Sequence, residues 1–230
     1  MRSGSVVVVL VAAGAGERLG ADEPKAFLPI GDRPILGLAA GAAVASAGVG
    51  GLVVAVPNGW EDRARACVEP VDPGAAYVMG GASRQASVRA GLAAVPEGTE
   101  IVVVHDAARP FAAPELFEAV IEAVARGADG ALPVLSATDT VLRVRDDTVT
   151  AGEARDELAL AQTPQAFRTH AIREAHDKAE AAGAPFTDDA SVLAWAGFRV
   201  RTIPGDPGNV KITTLADLAE ADRRVRGGRG

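Results

Sequence analysis

Short apolar runs alternate with alanine-rich stretches along most of this chain, and this alternation limits the folds open to it more than any other feature. The apolar runs predict strands at Val6–Val11, Leu52–Val56, Ala75–Met79, Ile101–His105, Ala131–Leu135 and Phe198–Ile203. The stretches between most of them predict helices at Pro34–Ala47, Glu61–Val68, Ser83–Ala94, Pro114–Arg126 and His170–Ala182. Such alternation is typical of an α/β protein, so we expect a single domain over residues 1–230 with a doubly wound, mostly parallel sheet.

The composition supports a globular protein and excludes several classes of function. Hydrophobic residues make up 48% of the chain, which argues against extended disorder. The formal net charge is −7 and no basic tract interrupts it, so we expect no general nucleic-acid binding. No apolar run approaches the roughly 20 residues of a membrane span, and the first run leads into glycines, so we expect neither a membrane anchor nor a signal peptide. Cys67 is the only cysteine, which excludes an internal disulfide and fits the reducing cytoplasm.

The first apolar run ends in a glycine-rich turn that predicts an anion site. Val6–Val11 shows no polar–apolar alternation, which indicates a strand buried on both faces. Gly14 and Gly16 let the backbone approach a ligand closely and present its N–H groups to an anion. Arg18 and Lys25 follow, and two cations beside such a loop suit a polyphosphate. A plain strand-to-helix turn with surface charges would explain the same residues without a ligand.

Neither of the two common glycine fingerprints fits this turn. The dinucleotide fingerprint G-x-G-x-x-G needs a glycine where Leu19 stands. A P-loop needs a lysine directly after its second glycine, but Glu17 follows Gly16. A dehydrogenase is therefore disfavoured, and a different kind of phosphate-binding loop is required.

Two later segments add candidate site residues at predicted strand ends. Gly80 and Gly81 permit a close backbone approach, and Ser83 is expected to cap the helix that carries Ser87. A glycine pair before a capped helix is also ordinary in α/β proteins. Only its combination with the first loop makes a functional interpretation attractive.

The segment His105-Asp106-Ala107-Ala108-Arg109 follows the fourth predicted strand. A carboxylate at the end of a central strand, such as that of Asp106, can reach a metal ion or a ribose hydroxyl. The two alanines keep the site open, and Arg109 can contact an anion. His105 continues the strand, so we expect a buried core histidine with satisfied hydrogen bonds rather than a catalytic base.

One region departs from the α/β alternation. Thr138–Thr150 is polar and predicts two short strands around a turn at Asp146-Asp147. An isolated two-stranded arm is marginally stable in water, so we expect this arm to pack against a second subunit. The alternative is a surface hairpin that lies back on its own domain.

Together these motifs resemble those of the 2-C-methyl-D-erythritol 4-phosphate cytidylyltransferases of the non-mevalonate isoprenoid pathway. Further segments match in the same order along nearly the whole chain: Asp139-Thr140, Arg155, Gln162–Gln165, Thr187–Ser191 and Gly208–Thr213. Three positions depart from the family pattern, namely Val11, Ala82 and Ala159. A single motif is weak, but the ordered set is specific.

The resemblance implies a nucleotidyltransferase-type, Rossmann-like fold and a cytoplasmic enzyme. It would transfer a cytidylyl group from CTP to a polyol phosphate, 2-C-methyl-D-erythritol 4-phosphate, and release pyrophosphate. The resemblance also implies Mg²⁺ or another divalent cation, with Asp106 as a candidate metal ligand, and a homodimer formed through an arm at about residues 137–160.

The resemblance further assigns residue roles, each carried over to a matching position. Transition-state stabilisation falls to Arg18 and Lys25, while Arg155 and Lys211 position the methylerythritol phosphate. Arg155 and Thr140 are expected to reach the site of the other subunit. The substrate-binding residues are Ala12, Ala13, Gly14 and Gly16 at the triphosphate, Gly81 and Ser87 at the cytosine, Asp106, Ala107 and Arg109 near the sugar phosphate or metal, and Thr140, Thr163 and Thr187.

Two alternatives stay open from the sequence. A ribitol 5-phosphate cytidylyltransferase would share the fold and loops and differ in its acceptor. A non-catalytic nucleotide sensor on the same fold is the second alternative, although a sensor need not keep the cations that stabilise a transition state.

Overall fold

An eight-stranded sheet forms the centre of the protein, and two small hairpins lie outside it. The structure is a computed structural model that describes residues 6–14 and 23–227. The strands are β1 (Val6–Val11), β2 (Pro29–Ile30), β3 (Arg33–Pro34), β4 (Val49–Val56), β5 (Ala76–Met79), β6 (Ile101–Asp106), β7 (Gly130–Ser136), β8 (Leu142–Arg145), β9 (Thr148–Gly152), β10 (Ala159–Ala161), β11 (Gln165–Arg168) and β12 (Val200–Pro204). The hairpins are β2–β3 and β8–β9.

The central sheet has the order β12-β7-β11-β6-β1-β4-β5, and β10 pairs with the later part of β7. β1, β4, β5, β6, β7 and β12 run parallel to one another, while β10 and β11 are antiparallel to their neighbours. The six parallel strands are the six predicted from apolar runs. The expected doubly wound, mostly parallel sheet is therefore confirmed.

Helices cover both faces of this sheet. They are α1 (Ile35–Val44), α2 (Glu61–Val68), α3 (Arg84–Ala94), α4 (Pro114–Ala125), α5 (Thr169–Ala181), α6 (Asp189–Trp195) and α7 (Leu215–Gly227), with short 3-10 helices at Lys25–Phe27 and Arg155–Glu157. The first five match predicted helices to within a few residues. Neither α6 nor α7 was predicted, and neither were β10 and β11.

Strand β1 is buried on both faces, as predicted. Its side chains alternate between two apolar cores, because successive residues of a strand point to opposite sides of the sheet. Val8 and Leu10 pack into the core that contains Phe117 of α4, whereas Val7 and Val9 pack into the core that contains Ile172 of α5. A strand held in this way fixes the position of the loop that follows it.

The topology brings several loops together at one edge of the sheet. β1 lies between β4 and β6, and Val11 at the end of β1 pairs in register with Asp106 at the end of β6. The two strand ends are tied further, since the Ala107 N–H donates to the Val11 carbonyl at 3.0 Å. In open α/β sheets this edge, where the strand order reverses, is the usual place for a ligand.

The predicted arm is present as the β8–β9 hairpin. Asp146 and Asp147 adopt φ values of 47° and 58°, the left-handed conformation that a two-residue hairpin turn requires. Every residue from 142 to 152 is exposed. The hairpin therefore projects from the domain, and the alternative of a hairpin lying back on its own domain is not supported.

Candidate active site

A cavity of about 580 Å³ opens at the carboxyl ends of β1, β5 and β6. Its lining comes from the loop after β1, the segment around Lys25, the glycine loop before α3, the end of β6 and the segment around Lys211. The lining residues are Val11, Ala12, Ala13, Gly14, Lys25, Ala26, Gly81, Ala82, Ser83, Arg84, Ser87, Asp106, Ala107, Ala108, Lys211 and Thr213.

The first loop supplies Ala12, Ala13 and Gly14 to the cavity wall. The Ala12 N–H donates to the Ala55 carbonyl at 2.8 Å, so the loop starts from a fixed point. A side chain at Gly80 would collide with the Ala13 side chain, which explains the glycine pair after β5. Two other predicted residues of this loop, Gly16 and Arg18, lie outside the described residues.

The second loop is held in shape by Ser87. Its Oγ accepts a hydrogen bond from the Gly81 N–H at 3.1 Å and donates to the Ser83 carbonyl at 2.9 Å. Ser83 in turn caps α3, because its Oγ accepts from the Ala86 N–H at 3.1 Å, as predicted. The loop therefore presents a rigid backbone edge beside the cavity.

Asp106 is the central charged residue of the cavity. One carboxylate oxygen lies 2.7 Å from Lys211 Nζ and the other lies 3.0 Å from Arg84 Nε. Burial acts to raise the pKa of Asp106, but Arg84 and Lys211 outweigh it and hold this pKa well below its usual range. Asp106 is therefore ionised at neutral pH.

Lys25 approaches the same cavity from the other end of the chain. Its Nζ donates to the carbonyl of Ile212 at 2.9 Å, next to Lys211 in sequence. Lys25 and Lys211 both line the cavity. Lys25 and Lys211, both predicted as site residues, therefore lie at the same cavity.

His105 and Thr163 support Asp106 from behind. The Thr163 Oγ1 accepts from the Asp106 N–H at 3.0 Å, and it lies 3.1 Å from His105 Nδ1. His105 Nε2 lies 3.1 Å from the Arg109 carbonyl, which can only accept, so Nε2 carries the proton and the Thr163 hydroxyl donates to Nδ1. Burial lowers the pKa of His105 to about 4. His105 is therefore a neutral core residue, as predicted.

Thr163 and Arg109 were predicted to contact the substrate, but neither is among the residues that line the cavity. The Arg109 guanidinium donates to the carbonyls of Asn209 at 2.7 Å and Ala161 at 3.3 Å. These contacts hold the segment that leads to Lys211. In this chain Arg109 positions a site residue, and its contact with substrate stays a prediction.

Three further predicted residues are exposed and are not among those that line the cavity. Thr140 and Arg155 belong to the arm region, where Arg155 Nη1 donates to the Thr138 carbonyl at 3.3 Å. Thr187 precedes α6 and is also exposed. Their roles in substrate binding stay predictions.

The donor set of the cavity fits one kind of metal site. Within residues 6–14 and 23–227, no cluster of three His, Cys, Asp or Glu side chains could hold an ion by itself. Mg²⁺ is commonly bound by one or two carboxylates together with substrate phosphates. Asp106, ionised at the cavity wall, fits such a shared site.

Arg84 is a site residue that was not predicted. It lines the cavity and joins Asp106 to Asp189, which is buried at the start of α6. The signal was its place in the Gly80–Leu92 segment, between Ser83 and Ser87. Thr213, which follows Lys211 and Ile212, is a second lining residue that was not predicted.

The fold and this cavity define a protein of the nucleotidyltransferase type: a mostly parallel sheet with a cationic cavity at its switch point. A family model described as 2-C-methyl-D-erythritol 4-phosphate cytidylyltransferase matches residues 6–226. The chain belongs to this family, and the resemblance noted from the motifs is confirmed.

Individual relatives agree with the family match. The chain is 40% identical over 220 residues to 2-C-methyl-D-erythritol 4-phosphate cytidylyltransferase of Nocardia farcinica, covering 95% of this chain and 93% of the relative. It is 41% identical over 224 residues to the "Bifunctional enzyme IspD/IspF" of Nitratidesulfovibrio vulgaris strain DP4, covering 94% of this chain and 57% of that protein. The chain thus spans little more than half the length of the bifunctional relatives.

A solved structure shows the same architecture. The crystal structure of 2-C-methyl-D-erythritol 4-phosphate cytidylyltransferase from Thermus thermophilus superposes with a TM-score of 0.79 at 35% identity, covering 96% of this chain and 98% of that one. The matched family is named for methylerythritol phosphate, so the ribitol 5-phosphate and sensor alternatives are not favoured.

Proposed function

We propose that this chain transfers a cytidylyl group from CTP to 2-C-methyl-D-erythritol 4-phosphate, giving 4-diphosphocytidyl-2-C-methyl-D-erythritol and pyrophosphate. The observation that carries the proposal is the meeting of Lys25 and Lys211 with Asp106 in one cavity. That cavity begins at a glycine turn after a buried strand, where an anionic ligand can meet backbone N–H groups. Family membership supports the choice of both substrates.

The reaction needs no general base. A phosphate monoester already carries an anionic oxygen at neutral pH, and this oxygen attacks the α-phosphorus of CTP. The new P–O bond forms as the bond to the β-phosphate oxygen breaks, and pyrophosphate leaves with the electron pair. His105 agrees with this chemistry, since it is fully buried and its nitrogens contact Thr163 and Arg109.

Catalysis would then come from positioning and from charge. Lys25 and Arg18 are proposed to stabilise negative charge on the non-bridging oxygens and on the leaving group. Lys211 is proposed to hold the acceptor phosphate. Gly81 and Ser87, whose hydrogen bond keeps the second loop rigid, are proposed to recognise cytosine.

A divalent ion is proposed to bind with CTP, with Asp106 as its protein ligand. When bound, Mg²⁺ would supply positive charge at the triphosphate oxygens. Asp106 itself orients Lys211 through their ion pair.

We also propose a homodimer formed through the arm. Five apolar side chains of the arm region are at least one third exposed: Leu142, Val144, Val149, Leu158 and Leu160. A second copy would cover them and would bring Thr140 and Arg155 of the partner subunit towards the cavity. Analytical ultracentrifugation of the wild type and of Val144→Glu tests the dimer, because a charge in an apolar contact should shift the protein to monomer. A monomeric wild type would refute it.

A cytoplasmic location is the remaining proposal, supported by the single cysteine. Within the described part of the chain, no helix has the length and apolar character needed to cross a membrane.

A pyrophosphate-release assay tests the activity. The protein is given each of the four nucleoside triphosphates with methylerythritol phosphate or ribitol 5-phosphate, in the presence of Mg²⁺. We expect release with CTP and methylerythritol phosphate above all other pairs. Faster release with ribitol 5-phosphate would replace the acceptor, and release with no pair would refute the enzyme.

A further inference from the structure

A chain of charged residues continues from the cavity into the protein interior. Arg84, the first residue of α3, contacts two carboxylates: its Nε lies 3.0 Å from Asp106 Oδ1 and its Nη1 lies 2.7 Å from Asp189 Oδ2. On the far side, Asp189 Oδ1 accepts a hydrogen bond of 3.1 Å from Nε2 of His176 in α5. Strand β6 and helices α3, α5 and α6 thus meet through one line of polar contacts.

Arg84 occupies a place that a helix does not favour for a cation. The N-terminal end of a helix carries partial positive charge, so an arginine at the first position of α3 is repelled rather than attracted. Its side chain is also largely buried, with 24% of its surface exposed. Two carboxylates compensate for both costs, and Asp189, which is 1% exposed, has no solvent to replace this cation.

The charges of the line balance when all four ions are present. Lys211 and Arg84 are positive, and Asp106 and Asp189 are negative. Asp106 is divided between the two cations, with one oxygen for each. Without Asp189, the Arg84 guanidinium could turn fully towards Asp106 and compete with Lys211 for it.

We infer that Asp189 is a positioning residue for the acceptor side of the cavity. By holding Arg84, it leaves one oxygen of Asp106 to Lys211 and so keeps the Lys211 ammonium group in place. His176 holds the Asp189 carboxylate from behind. The inference rests on the proposed function, because it concerns the acceptor site that Lys211 is proposed to form.

A double-mutant cycle of Asp189→Asn and Arg84→Gln tests this inference by kinetics. Asp189→Asn should lower kcat/KM for methylerythritol phosphate by about tenfold, the scale of coupling between charged groups in contact. The loss should come mainly from a higher KM for this acceptor, whereas the KM for CTP should stay within about twofold of wild type. In the Arg84→Gln background, Asp189→Asn should cause no further loss, since the Lys211–Asp106 pair is again balanced. Losses that multiply would overturn the inference.

Two further variants separate positioning from folding. Glu180→Gln is the matched control, because Glu180 of α5 pairs with Arg89 of α3 at the surface, and it should leave all kinetic constants unchanged. His176→Gln is the milder variant, and it should raise the acceptor KM in the same direction even if Asp189→Asn does not fold. If Asp189→Asn and His176→Gln lowered the unfolding temperature but left the acceptor KM unchanged, the line of polar contacts would have only a structural role. That result would overturn the inference.

The assay of the wild type distinguishes a failure of the proposed function from a failure of the role inferred for Asp189. A wild type that releases no pyrophosphate would overturn the proposed function and this inference with it. An active wild type with multiplicative losses in the cycle would overturn only the role of Asp189.

Discussion

The cavity and the projecting arm are built in opposite ways. At the cavity, partly buried charged side chains meet opposite charges of the same chain, as Asp106 meets Lys211 and Arg84. In the arm, apolar side chains face solvent: Val144, Val149 and Leu142 are exposed by 58%, 57% and 48%. These charges of the cavity are paired within one chain, whereas the apolar side chains of the arm stay exposed on a single chain.

The cavity and the arm therefore depend on the rest of the fold in different ways. Charges inside a cavity are weakly screened by salt, so their positions are set by the strands and loops that carry them. A two-stranded arm has little internal stability and depends on what covers it. Changes in the cavity should therefore act on the chemistry, and changes in the arm should act on assembly and on acceptor use.

Substitution of Lys25 should have the largest effect, and it tests whether changes in the cavity act on the chemistry. Lys25→Ala should lower kcat by about 10²–10³-fold, the scale for losing one preorganised contact to developing charge. Pyrophosphate release at saturating substrates measures this loss. Lys178→Ala is the matched control, because Lys178 lies at the surface of α5 and pairs with Glu174. A Lys25→Ala protein within about threefold of wild type would exclude Lys25 from the chemistry.

Arg155 should show a smaller effect, limited to the acceptor. Arg155→Ala is expected to lower kcat/KM for methylerythritol phosphate by about tenfold, since a surface arginine supplies one charged contact. The KM for CTP should change little. Steady-state kinetics with each substrate varied in turn measures both.

Dimers that combine two different variant chains test whether Arg155 acts on the cavity of the partner subunit. If Arg155 acts on the partner's cavity, a dimer of one Lys25→Ala chain and one Arg155→Ala chain has one intact site. An equal mixture should then recover about a quarter of wild-type activity, as two-fold symmetry predicts for random exchange. Activity no greater than the mean of the two variants would contradict a shared site.

The smallest effect is expected at Asp217, which supports the cavity from outside. Its carboxylate accepts from the Thr213 hydroxyl and from the N–H groups of Thr213 and Thr214, and these bonds lower the pKa of Asp217 to about 2. Asp217→Ala should reduce the free energy of unfolding at pH 7 by about 0.5–1 kcal/mol, because solvent screens a surface cap.

The pH dependence gives the sign of this contribution. The folded pKa of Asp217 is depressed, so its stabilisation is present above the unfolded pKa of about 3.9. It is lost as the pH falls towards about 2. Denaturant unfolding of both proteins between pH 7 and pH 2 should show the difference shrinking in that window.

The parallel part of the fold could be predicted from sequence, but its antiparallel insertion could not. All six parallel strands carry apolar runs, and the runs of β1, β4, β6 and β7 contain side chains that are buried in the core. β11 is only four residues long and begins with Gln165, which is buried. Its side chain is satisfied by the Gln162 carbonyl and the Ala190 N–H, contacts that no local pattern reveals.

The site residues also fall into those that the sequence could predict and those that it could not. Residues at strand ends, such as Asp106 and Gly81, could be predicted because topology alone brings such ends to one edge. Thr163 was expected at the substrate, but its hydroxyl is engaged by Asp106 and His105. Arg84 was missed because its importance comes from Asp189, which is distant in sequence and approaches only in the folded protein.

The hydrogen bond from Lys25 to the Ile212 carbonyl has a consequence for how the protein is made. During synthesis the glycine turn leaves the ribosome early, and the strands after it can begin to form while translation continues. Lys25 finds its acceptor only after residue 212 has been added. A nascent polypeptide can therefore form much of its sheet before this contact, to a lysine that is proposed to serve catalysis, is in place.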